Sequence, residues 1–131
     1  MSTIVVYVSK TGNTKAVSEY IAKRLSCDIA DIGKSSAGNG ISMDGYDNVI
    51  VGSGVYAGRI PKAIKGFLSE TNFEGKDVRM FLCCALKDEK GTEQMRSIIS
   101  QYPSVSSMTF FSGKKKGLEV NEKADDFVKD L

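Results

Sequence analysis

The chain has no histidine among its 131 residues. That removes the commonest metal ligand, the commonest general base and any Ser-His-Asp triad together. Cysteine is scarce too. Cys27, Cys83 and Cys84 are an odd set without ligand-like spacing, and the adjacent pair sits inside an apolar run. Reduced core residues are expected there rather than a redox pair, because a buried free thiol behaves as a small hydrophobe. Long apolar runs are also missing: "TIVVYV" and "MFLCCAL" are strand-sized, so no integral membrane segment is expected. The N-terminus enters a strand pattern without a basic region followed by an apolar signal core, which points to a cytoplasmic protein. A net charge of +2 and a pI of about 8.4 are too mild for a nucleic-acid partner. The one basic run, Lys114–Lys116 between glycines, reads as a solvated loop. The first strand ends in "VSK", without the acidic cluster a magnesium-dependent receiver domain requires. Chemistry in this chain is therefore expected from a cofactor, with no catalytic side chain.

What is present is a regular alternation of apolar runs and helical periods. The length suits one domain over residues 1–131, with no repeat and no linker. "TIVVYV" (3–8) is β-branched and nearly continuous, as a parallel strand buried on both faces should be. A helix is expected from Thr14 to Leu25, with Val17, Ile21 and Leu25 on one face. "CDIADI" (27–32) alternates, which suits an edge strand, and "GKSSAGNG" reads as a long loop. "NVIVGSG" (48–54) is a third strand. Pro61 then opens a helix whose inner face is Ile64, Phe67 and Leu68. "DVRMFLCCA" (77–85) and "SMTFFSG" (107–113) are strands four and five, separated by a helix marked by Met95, Ile98, Ile99 and Tyr102. Val120, Ala124, Phe127, Val128 and Leu131 mark a last helix. This order predicts an α/β fold, a five-stranded parallel sheet with helices on both faces. Ligands in such sheets sit beyond the carboxyl ends of the strands.

Three loops leave those ends. "SKTGNT" places Ser9, Thr11 and Thr14 around Gly12 directly before a helix. Unpaired amides and the helix dipole there favour an anion, and hydroxyl donors hold a phosphate without cationic side chains. The motif is neither the nucleoside-triphosphatase loop nor the dinucleotide fingerprint. Taken alone it suits a capped helix equally well, since threonine and asparagine cap helices. "GSGVYAGRIP" offers Tyr56 between glycines, either as a structural ring or as one that stacks on a flat ligand. "CCALKDEKG" brings small residues to the end of strand four, which suits either an ordinary turn or the flank of a planar group. Together the three loops describe the site expected for flavin mononucleotide (FMN).

The hexad "SKTGNT" resembles the [ST]-x-T-G-x-T phosphate loop of the flavodoxins, with Asn13 before the last threonine. "GSGVYAG" resembles their second loop, with Tyr56 where the family carries an aromatic stacked on the isoalloxazine. The order of elements agrees over essentially the whole chain. "VGSGVYAGRIPKAIKGFL" is similar to the flavodoxin-like subgroup that includes menaquinone-dependent protoporphyrinogen oxidase. The resemblance implies a flavodoxin-like three-layer sandwich, a parallel sheet of order 2-1-3-4-5, and FMN as cofactor. It implies that Ser9, Thr11, Asn13 and Thr14, with the backbone of Lys10 through Gly12 to Thr14, hold the phosphate. Ser53, Gly54, Val55, Tyr56 and Ala57 would border the ring, Tyr56 covering one face. Cys84, Ala85 and Leu86 would approach its pyrimidine side.

Some features depart from the family. The chain is slightly basic where flavodoxins are acidic around the flavin, with Arg59 and Lys87 in the two ring loops. The third loop lacks a second aromatic. Only "GKKKGLEV" separates the fifth strand from the last helix, which counts against a large-substrate pocket. The function implied is electron transfer with redox partner proteins, by a monomer or weak dimer. The alternatives are a flavin-dependent oxidoreductase of the same fold, acting on a quinone, a porphyrinogen-type substrate or a nicotinamide, and a flavin-free module.

Overall fold

Runs of β-branched residues that are apolar on both faces form the centre of the molecule. The computed structural model describes residues 2–8, 13–32, 45–54, 62–70, 73, 75–84, 107–112 and 124–129. Its strands are β1 (Thr3–Val8), β2 (Asp28–Asp31), β3 (Asn48–Gly54), β4 (Asp77–Cys84) and β5 (Ser107–Ser112). They form one sheet in the order β2-β1-β3-β4-β5, and every neighbouring pair is parallel. Helix α1 (Asn13–Leu25) follows β1, and α2 (Lys62–Glu70) follows β3. Every residue of β3 is buried, as expected of a central strand whose two faces are both covered. β2 is the edge strand its alternation predicts, with Ile29 41% exposed. It is shorter than the run 27–32 because pairing with β1 extends only from Asp28 to Asp31. The helix expected around residues 95–102 and the loop 33–40 lie outside the described residues.

Side-chain parity sorts the core into two layers, because successive residues of a strand point to opposite faces. Ile4, Val6, Val49, Val51, Met80 and Leu82 pack with Ile64, Phe67 and Leu68 of α2. Val5, Ile50, Phe81 and Cys83 pack on the other face with Val17, Ile21 and Ala22 of α1 and with Ala124, Phe127 and Val128. Cys83 is therefore the buried core residue expected of it. A side chain at Gly52 is excluded by one contact: a Cβ there would lie 2.3 Å from Cζ of Phe81. The Phe81 ring covers that glycine and meets Phe127 edge-on, with centroids 6.3 Å apart, a favoured aromatic geometry.

Two devices fix the ends of the α1 layer. α1 stops in a Schellman arrangement: Cys27 N–H donates to the Ala22 carbonyl at 3.0 Å and Ser26 N–H to the Lys23 carbonyl at 3.3 Å. Ser26 takes the left-handed conformation this requires, at φ 50°. The helical residues 124–127 are tied to α1 through Asp125, whose Oδ1 accepts from the Tyr20 hydroxyl at 2.8 Å and pairs with Arg24 at 2.7 Å. Arg79 of β4 donates to the Phe127 carbonyl at 3.0 Å while its other nitrogen pairs with Asp77, also at 3.0 Å.

Candidate functional site

Parallel pairing brings the carboxyl ends of three strands to one edge. Val8 of β1 lies beside Ser53 of β3, and Gly54 lies beside Cys83 of β4. The chain leaves β1 for β2 on one side, while β3 lies on the other. Strand order therefore reverses between β1 and β3, where open α/β sheets bind ligands. α1 begins at Asn13, directly across the connection 9–12 from the end of β1. Its first amides face that edge without an intrahelical partner. No acidic residue stands in its first turn, so no carboxylate of that turn competes for the positive end of the helix dipole.

Thr14 is only 2% exposed and anchors the start of α1. Its carbonyl accepts the buried Ser18 hydroxyl at 2.7 Å. Beneath this region, Tyr7 is buried near the end of β1. Burial first, then Asp31 and Glu19, raise its phenol above the ordinary range. On β3, Ser53 is fully buried, and its hydroxyl donates to the Gly54 carbonyl at 2.8 Å. Helix-start amides with a hydroxyl residue and no acid in the first turn fit a phosphate-bearing group.

Of the residues expected in the site, Asn13, Thr14, Ser53, Gly54 and Cys84 are brought to this edge by the fold. For Asn13 and Cys84 the backbone alone is described. Ser9, Lys10, Thr11, Gly12, Val55, Tyr56, Ala57, Ala85 and Leu86 lie outside the described residues, as do Arg59, Lys87 and Lys114–Lys116. Sequence reasoning missed the bond between Ser53 and Gly54. The only signal for it was a hydroxyl residue in a strand that, after Asn48, is otherwise built of valine, isoleucine and glycine.

A separate open cleft of about 250 Å³ lies at the opposite edge, where β1 and β2 begin, with Thr3, Leu25, Cys27, Asp28 and Tyr46 in its lining. It contains none of the residues expected to bind the cofactor. Tyr46 closes one side of it by donating to Asp28 at 2.5 Å. Among the described residues there is no cluster of three potential metal ligands, and no helix is long and apolar enough to cross a membrane.

Comparison with known proteins agrees with this geometry. The family model described as "Flavodoxin domain" matches residues 4–123. No curated protein matches the chain. Among solved structures, oxidised Flavodoxin 1 from Bacillus cereus is 17% identical, with a TM-score of 0.73 over 100% of this chain and 99% of that one. A flavodoxin from Streptococcus pneumoniae TIGR4 is 19% identical, with a TM-score of 0.71 over 100% and 97%. A flavodoxin, WrbA-like protein from Agrobacterium tumefaciens is 18% identical, with a TM-score of 0.74 over 94% and 89%. At these identities the structural likeness establishes the fold.

Proposed function

The chain belongs to the flavodoxin-domain family, and on that premise we propose that it is an FMN-binding electron carrier. The observation that carries the proposal is the start of α1, free of acidic residues in its first turn and set at the strand-order reversal. Ser9, Thr11, Asn13 and Thr14, with the amides from Lys10 to Thr14, hold the phosphate. Val55, Tyr56 and Ala57 border the ring together with the end of β3, and Cys84, Ala85 and Leu86 flank its other side. When bound, FMN supplies one- and two-electron transfer that no side chain of this histidine-free sequence provides. The protein's part is to fix the phosphate, exclude water from the ring and set the surroundings in which electrons arrive and leave.

Thr11→Asp tests the phosphate assignment. It puts a negative charge where the phosphate sits, so FMN retention measured by flavin fluorescence should fall by at least about 100-fold. Unchanged retention would refute the cradle. Carrier and oxidoreductase differ in turnover. A carrier exchanges electrons rapidly with protein partners, whereas steady consumption of a quinone or a nicotinamide by the loaded protein would mark an enzyme.

A further inference from the structure

β3 carries a polar side chain where its neighbours are apolar. Ser53 lies at the register position of Val8 on one side and of Leu82 on the other, and all three are buried. A hydroxyl in such surroundings costs stability unless it makes a hydrogen bond. The acceptor it takes is the carbonyl of the next residue, Gly54, at 2.8 Å. Gly54 is the last residue of the strand and has no side chain to limit its own rotation. Its carbonyl belongs to the peptide plane that leads into the loop, and peptide planarity means that holding the oxygen fixes the whole plane.

We propose that Ser53 is a positioning residue: its buried hydroxyl locks the Gly54 peptide, which ends β3 at the edge where the FMN reading puts the ring. This rests on the FMN reading and adds to it. Ser53 acts through backbone geometry rather than by touching the ring. The end of β3 is then already fixed when the flavin binds, and binding does not pay to order it.

The test is Ser53→Ala, with Ser53→Cys as a second variant that keeps the side-chain shape, is moderately larger and has far weaker donor strength. FMN affinity and the one-electron reduction potentials of the bound flavin are measured beside the urea midpoint of the flavin-free protein. The lock predicts roughly fivefold weaker FMN binding, the equivalent of one neutral hydrogen bond. It also predicts potentials displaced in the same direction in both variants, a readout that a packing role alone would not move. Should the alanine variant fail to fold, the cysteine variant decides. Wild-type affinity and potentials in a folded variant would overturn the lock while leaving the FMN reading intact, as would an affinity loss with unchanged potentials. Failure of the wild-type protein to bind FMN would overturn both.

Discussion

Gly52 shows how a single residue position is set from across the sheet. Its hydrogen faces the Phe81 ring, and a methyl group there would lie 2.3 Å from the nearest ring carbon. Phe81 has no room to retreat, being fully buried against Phe127. Gly52→Ala is expected to cost about 1–3 kcal/mol as an overpacking change, read from urea midpoints. Adding Phe81→Leu should recover part of that loss, because the two residues share one contact and their effects cannot add. Equal and additive losses would contradict the packing described. None of this was legible beforehand. "GSG" reads as glycines ending a strand, while the partner ring comes from the next strand over. The Ser53 hydroxyl was equally hidden, because nothing in a single sequence says which carbonyl a buried serine will choose.

At the scale of elements, the end of α1 carries a removable strain. Ser26 occupies the left-handed position of the Schellman turn at φ 50°, where a Cβ is disfavoured and glycine is usual. Ser26→Gly should therefore stabilise the protein by about 0.5–1 kcal/mol, the relief slightly offset by the freer unfolded chain. A lower melting temperature would show that the serine contributes something the backbone does not. Elements were the most legible level of this molecule. The β-branched runs of β1 and β3 end where their pattern ends, and Ile64, Phe67 and Leu68 of α2 are all buried as their spacing predicts. Periodicity reports which faces must be covered, and burial follows directly from it. The polar ties that seat residues 124–127 were not legible, because no sequence pattern pairs Tyr20, Arg24 and Arg79 with the last segment until the fold brings it against them.

For the molecule as a whole, the shifted titrating groups among the described residues move in one direction. Burial pushes the Cys27 thiol above its ordinary value of 9.0, with Asp28 adding to it, and burial raises the Tyr7 phenol above 10.0. Hydrogen bonds to Asp125 and Asp28 raise the Tyr20 and Tyr46 phenols. Across that range the folded protein keeps protons the unfolded chain has lost, so stability falls as pH rises and is unaffected by these groups in neutral or acid solution. Melting temperatures should hold from neutrality and decline above about pH 9; a rise there would contradict the shifts. At the carboxyl edge of the sheet, helix-start amides and the ends of β1, β3 and β4 converge on the place proposed for FMN. Titration of the flavin-free protein with FMN, followed by flavin fluorescence and visible absorption, tests that placement most directly. Saturable one-to-one binding is expected, which free riboflavin, having no phosphate, reproduces only weakly. A chain that leaves FMN fluorescence unchanged, or that binds riboflavin equally well, would contradict it.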